Sequence, residues 1–314
     1  MNNSLTFENE LKKLPPGFRG EILYALSQGP VIPSALAAKI IEAGDLDIGN
    51  LMIILLPIAA SFARVPISKF NVGAVSLGMP EATDNSDPGS LYLGSNIEFV
   101  GQALSFGVHG EQSAINNAWL HGEAGIQALA INSAPCGYCR QFLYELNTAN
   151  QGFNVLLKKN PKDKHDTSYT MQPLDYFLPN AFGPRDLGLE GGFMDKKNHQ
   201  LSISVSDSLA IAALKAANMS YAPYTNNIAG VAIRADDGAI YTGCYAENAA
   251  YNPSMSPLES ALALMNMSIQ EQAPYKIEAV ALVETESKSS QKGASEAVLE
   301  SVAPDVQLNY YIAS

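Results

Sequence analysis

The sequence predicts an α/β protein in which one domain occurs twice, behind a small helical region at the N-terminus. Three observations carry this. The hydrophobic period switches repeatedly between helix and strand values. Residues of the second half echo those of the first in the same order, and a histidine–cysteine constellation with metal-site spacing appears in the first half alone. At 314 residues the chain exceeds one ordinary domain. The reading is 1–47 for the helical region, 48–189 for a metal-binding copy and 190–314 for a metal-free copy.

In chain order, residues 8–28 have helical spacing, interrupted by Pro15, Pro16 and Gly17, and 34–43 give a second helix. Residues 48–63 give a third, with Asp47 as its N-cap. Its apolar stretch is too short to span a bilayer and contains Pro57, so it reads as a buried helix. Residues 70–77 alternate and then run apolar, as a strand does, and 90–93 begin a hairpin partner. Ala114, Ile115, Ala118 and Trp119 recur at helical spacing, which puts His109 and Glu111 at a helix start. Residues 128–132 form a short buried strand, and a helix from Cys136 onward carries Phe142, Leu143 and Leu146 on one face. Residues 153–157 read as the final strand of the first copy. The connecting segment to about 200 is rich in Gly, Pro, Asn, Lys and Asp and holds a helical candidate at 174–178.

The duplication is visible as ordered matches. Val65-Pro66-Ile67, Phe70, Gly73 and Ala74 answer to Ala222-Pro223-Tyr224, Asn227, Gly230 and Val231, an offset of 157. Gly94 and Glu98 answer to Gly243 and Glu247 at 149, and His109 and Glu111 to Pro257 and Glu259 at 148. Matches that keep their order and drift little mark an internal repeat. On this pairing the second copy has lost its histidine and has no C-x-x-C, so one zinc per chain is expected.

The chemistry sits in His109-Gly110-Glu111 and Pro135-Cys136-Gly137-Tyr138-Cys139. One imidazole and two thiolates suit Zn²⁺ and leave its fourth tetrahedral position open to water, as catalytic sites do. The H-x-E…P-C-x-x-C order is the pattern of zinc-dependent base deaminases, in which the glutamate moves protons and binds no metal. Taken singly, a C-x-x-C is also a redox pair or half of a structural zinc knuckle. Both motifs fall at helix N-termini, where thiolates gain from the local positive charge. Arg140 either offsets that negative charge or is a surface arginine.

A net charge of −12 argues against nucleic acid as a partner. The N-terminal residues lack the basic and apolar regions of a signal peptide, and three cysteines make no disulfide framework, so the cytoplasm is the default expectation.

Together these residues resemble the cytidine deaminase family, in particular its two-domain homodimeric type from enteric bacteria and plants. The likeness spans nearly the whole chain. It includes Phe70-Asn-Val-Gly-Ala, 94–99, the H-x-E-Q-S-A-I run, 135–147, Leu-Pro-x-Ala-Phe-Gly-Pro at 178–184 and Tyr-Ala-Glu-Asn-Ala-Ala at 245–250. The resemblance implies a three-layer α/β/α sandwich around a mixed five-stranded sheet, twice over. It implies His109, Cys136 and Cys139 as zinc ligands, Glu111 as proton shuttle, Asn96 and Glu98 as ribose contacts and Phe70 against the pyrimidine. Phe182 would pack on the base and the Gly110 N–H would face the pyrimidine carbonyl. By local chemistry alone Asn96 reads more readily as a turn residue and Phe70 as a core aromatic. The implied reaction converts cytidine and deoxycytidine to uridine and deoxyuridine with release of ammonia, as hydroxide on zinc attacks C4. It also implies a homodimer in which Ala246, Glu247 and Asn248 approach the partner's pocket. Gly110 departs from the alanine common in the family. The rivals are deaminases of polynucleotides or of deoxycytidylate, which the negative charge and Glu98 disfavour, and a non-catalytic zinc-stabilised interaction module.

Overall fold

The computed structural model describes residues 11–12, 14–27, 29–80, 87–163, 166–268 and 276–314. The beginning and the last residue of the expected helix over 8–28 lie outside them; within that span the chain makes a 3₁₀ turn at Pro16–Phe18 and α1 (Arg19–Ser27). Then come β1 (Val31–Ile32), α2 (Ser34–Gly44) and α3 (Ile48–Ser61). Asp47 caps α3: its carboxylate accepts from the Asn50 N–H at 2.7 Å, while the Asn50 side chain accepts from the Asp47 N–H. No single helix among the described residues is long and apolar enough to cross a membrane.

The first copy continues as β2 (Gly73–Gly78), β3 (Leu91–Ser95), α4 (Gly110–Leu120), β4 (Ile126–Ile131), α5 (Gly137–Tyr144), β5 (Asn154–Lys158), β6 (Tyr169–Pro173) and α6 (Leu174–Phe177). Its sheet has the order β1-β3-β2-β4-β5-β6, antiparallel except for β4 and β5, which run parallel with α5 as the crossover. Alternation along β2 decides the layers. Val75 and Leu77 join the core beneath α3, whereas Ala74 joins the core around α4.

The second copy repeats this with α7 (Ser208–Asn218), β7 (Ala229–Ala235), β8 (Ile240–Cys244), α8 (Pro257–Ser268), β9 (Ile277–Thr285), α9 (Lys292–Val302) and β10 (Leu308–Ala313), in sheet order β10-β9-β7-β8. β9 and β10 are again the parallel pair. Five strands of the first sheet are thus joined by the short β1, while the second sheet has four among the described residues. Where a fifth would pair beyond β10, Ser202 and Ser314 exchange two backbone hydrogen bonds.

Glycines show the duplication most directly. A Cβ on Gly94 would lie 2.1 Å from the Ala114 nitrogen, and one on Gly243 would lie 2.2 Å from that of Ala261. Gly73 and Gly230 meet α3 and α7 just as closely, through the Leu56 oxygen and the Ala217 nitrogen. In each copy a helix rests directly on strand backbone, on both faces of the sheet. The copies pack through α4 and α8, where Asn116 gives and takes hydrogen bonds with Ser260.

These contacts correct the pairing at the helix start. Ala114 answers to Ala261 and Ser113, bonded to the His109 oxygen, answers to Ser260, bonded to that of Ser256. The offset there is 147, so His109 corresponds to Ser256, Glu111 to Leu258 and Gln112 to Glu259. Pro257 simply begins the helix, where its missing N–H costs nothing. Ser256 and Glu259 form a capping box, with the Glu259 carboxylate accepting from the Ser256 N–H at 3.0 Å; Gln112 does the same for His109 at 3.1 Å. The second copy has therefore lost the counterpart of Glu111 as well as those of the ligands.

Candidate active site

His109 stands at the N-cap of α4 and Cys136 at the N-cap of α5. The fold puts them there because β3 and β4 both pair antiparallel with β2, so their C-terminal ends, from which the chain leads on to α4 and α5, lie at the same end of the sheet. The Cys136 sulfur lies 3.6 Å from that of Cys139, and His109 Nδ1 lies 3.5 Å from Cys136 Sγ and 3.2 Å from Cys139 Sγ. An ion about 2.3 Å from sulfur and about 2.0–2.1 Å from nitrogen has tetrahedral edges of about 3.8 Å and about 3.6 Å. The three donors fit that tetrahedron to within a few tenths of an ångström. They are the one such group of histidine, cysteine and acidic residues among the described residues.

Glu111 lies two residues beyond the histidine and is almost wholly buried. Burial pushes its carboxyl up from the usual range, and it hydrogen-bonds Cys139. A carboxyl so placed holds a proton more readily than one in water, the property a proton carrier needs. Without an ion, hydrogen bonding from Cys139 and then His109 pushes Cys136 down to about 3, while the same Cys136–Cys139 contact, with burial, pushes Cys139 up.

The comparisons with known proteins agree with this centre. The family model described as "Cytidine and deoxycytidylate deaminase zinc-binding region" matches 50–153, and a second model of that description matches 174–296. A cytidine deaminase of Vibrio cholerae serotype O1 is 40% identical over 96% of this chain and 97% of its own. One from Photobacterium profundum is 44% identical over 84% of this chain and 83% of its own, and one from Photorhabdus laumondii is 42% identical over 90% of each. The chain belongs to the cytidine deaminase family.

Around the His109–Cys136–Cys139 group of this deaminase, several side chains do work the sequence did not reveal. Tyr138, inside the C-x-x-C, stacks on His109 with ring centroids 5.0 Å apart and so restricts the plane of the imidazole. Arg140 neither lies free on the surface nor bonds the thiols: its Nε donates to the Pro135 oxygen and its Nη1 to the Phe177 oxygen, tying the cysteine loop to the linker. Gln141 donates to the Phe182 oxygen at 2.7 Å and so holds the linker turn against α5. Nothing in the sequence separates these two polar residues from any others on a helix face.

Residues 70–72 lie outside the strand expected over 70–77. Their backbone is satisfied instead by Asn96, whose Oδ1 accepts from the Val72 N–H and whose Nδ2 donates to the Phe70 oxygen. Glu98 accepts from the Ile67 and Ser68 N–H groups. Burial opposes ionisation of Glu98, but the Ser68 and Ile67 hydrogen bonds together outweigh it and hold the carboxyl below the usual range. Phe70 at 57% and Phe182 at 45% exposure present their rings to solvent, so Phe70 is not a core aromatic. Val72 connects this loop to the centre, since a Cβ on Gly110 would lie 2.8 Å from its Cγ1.

The side chains of Ala246, Glu247 and Asn248 pack within the chain, where all three are buried. Glu247 accepts from the Tyr224 N–H as Glu98 does from Ile67, and Asn248 bonds Gln141.

Proposed function

We propose that this protein deaminates cytidine and deoxycytidine hydrolytically, giving uridine or deoxyuridine and ammonia. The observation that carries the reading is the buried Glu111 carboxyl beside three donors at tetrahedral spacing. His109, Cys136 and Cys139 hold zinc; the bound ion supplies acidity, lowering the pKa of a water from 15.7 to about 7. Glu111 takes the proton released there and delivers it to N3 of the cytosine ring, which makes C4 electrophilic. As the water oxygen bonds to C4, Glu111 carries the remaining proton of that oxygen to the amino group, which leaves as ammonia when the C4–N bond breaks and the C4 carbonyl forms. Burial serves the first of these steps, because a carboxyl held above its usual range is the stronger base towards the proton it takes up.

Phe70, Asn96, Glu98, Gly110 and Phe182 are proposed to receive the substrate. A primary amide has two donors and Phe70 uses one of Asn96, while an ionised carboxylate accepts about four hydrogen bonds, so both keep capacity for ribose hydroxyls. Gly110 presents a backbone N–H at the first position of α4. The proposed organisation remains 1–47 helical, 48–189 catalytic and 190–314 metal-free, in a cytoplasmic homodimer acting in pyrimidine salvage. Exposed Phe70, Val100, Leu104 and Tyr251 supply apolar surface for such a dimer.

The test is loss of cytidine absorbance with zinc-loaded protein, run beside Glu111→Gln. Turnover in the first, and retained zinc with a rate lower by about 10²–10⁴ in the second, is expected. Wild type that holds one zinc per chain yet leaves cytidine and deoxycytidine untouched refutes the reading.

A further inference from the structure

The second copy has no ligands and no shuttle, yet it grips the helix that carries two of the ligands. α5 begins at the Cys136 N-cap, holds Cys139 in its first turn and is only eight residues long. At its far end Glu145 is 1% exposed, and every side-chain hydrogen bond described for it comes from the second copy. The Tyr221 hydroxyl donates at 2.8 Å, the Tyr224 hydroxyl donates to the same oxygen, and the Ala249 N–H donates to the other at 2.8 Å. Half a turn from Cys139, the Gln141 oxygen accepts from Asn248 Nδ2 at 3.0 Å, and Asn248 is fully buried. Gln141 also holds the Phe182 carbonyl.

The reverse grip is weaker. α9, the counterpart of α5, starts from its own copy: the Gln291 N–H donates to Glu284 at 2.7 Å and the Gln291 side chain to Asn227. At its end a single hydroxyl, Ser301, donates to the Val100 oxygen of the first copy. A buried carboxylate with three donors is far costlier to displace than one exposed hydroxyl.

We propose that the metal-free copy positions the reacting centre of its own chain, with Tyr221, Tyr224 and Asn248 as positioning residues that hold α5 through Glu145 and Gln141. A helix this short moves as a unit, so slack at Glu145 is passed to Cys139 and, through Gln141, to the Phe182 turn. Displacements of about 1 Å at a reacting centre cost about a hundredfold in rate. The proposal deepens the deaminase reading and rests on it for its kinetic arm alone.

The test pairs Tyr221→Phe/Tyr224→Phe with single Tyr224→Phe, which keeps both rings and is the milder change if the double variant folds poorly. Two readouts are needed: kcat and KM for cytidine, and the visible spectrum of the cobalt-substituted protein, which reports ligand geometry whether or not the enzyme turns over. The expected result is about a tenfold or greater loss of kcat with KM changed less than about threefold, one metal per chain retained, and shifted cobalt bands. A cobalt spectrum superimposable on that of wild type, with kcat within about twofold, overturns the proposal. Should wild type itself leave cytidine untouched, the deaminase reading fails while the cobalt bands still decide the latch.

Discussion

Replacing Glu259 by glutamine is expected to make the protein more stable at neutral pH and to flatten its stability across mild acid. Glu259 is buried in the first turn of α8, with the Ser256 backbone N–H and hydroxyl near it, and burial pushes its carboxyl up to about 7. Its ordinary value is 4.5. Because the folded value is the higher one, the native protein keeps a proton that the unfolded chain has lost between pH 4.5 and about 7. Stability from this group is therefore complete below pH 4.5 and is lost as pH rises to about 7. At 1.36 kcal/mol per pH unit, the loss amounts to about 3 kcal/mol. The favourable placing of a carboxylate at a helix start returns about 0.3–1 kcal/mol of this. Glutamine keeps the acceptor that the Ser256 N–H needs, as Gln112 does for His109 in the first copy. The assay is thermal unfolding of wild type and Glu259→Gln, both zinc-loaded, from pH 5 to pH 8. The difference in Tm should be small at pH 5 and grow in favour of the variant by pH 8. Two curves that run parallel across the range refute the assignment of a neutral, buried Glu259.

Other outcomes follow from the same geometry. Gly94→Ala puts a methyl into the backbone of α4, which cannot yield locally, so a loss of about 3 kcal/mol or more is expected from denaturant unfolding, with activity falling as His109 and Glu111 shift. Gly110→Ala asks only Val72 to give, so the expected effect is a slightly stiffer helix start, worth about 0.5–1 kcal/mol, and a KM changed by a few-fold as residues 70–72 adjust. Metal analysis should find one zinc per chain, and Cys139→Ser should abolish it while Cys244→Ser leaves it unchanged, because Cys244 is buried at the end of β8, away from His109.

Much of this was legible in the sequence because it rests on local patterns. Asp47 marked the start of α3, the H-x-E and C-x-x-C motifs marked two helix starts, and Gly73 and Gly94 with their repeats marked the duplication. What stayed hidden depends on residues far apart in the chain. Strand β6 reads as polar linker because its side chains are mostly exposed and it exists by pairing with β5. The true start of β2 depends on an asparagine two dozen residues away supplying the hydrogen bonds. Glu259 reads as a surviving catalytic glutamate because a capping glutamate and a shuttle glutamate differ by one position, which only the packing of Ala261 on Gly243 resolves. Glu145 gave no signal, since its partners lie at 221, 224 and 249.

The helix starts carry one more consequence. α3 and α7 open with Asp47 and Asp207, and α8 with Ser256, oxygen acceptors of the kind that hold a first turn closed. α4 and α5 open instead with an imidazole and a thiol. In the first copy the metal thus takes over part of the work that an oxygen does elsewhere, and a chelator should be felt in the backbone before it is felt in the fold. Amide hydrogen exchange after metal removal is expected to quicken at 110–113 and 137–140 together, while the matching turn of α8 at 257–260 keeps its protection. The ion is then a clasp on two helix starts as well as an acid, and the second copy, which closes its corresponding turn with serine and glutamate, needs no clasp.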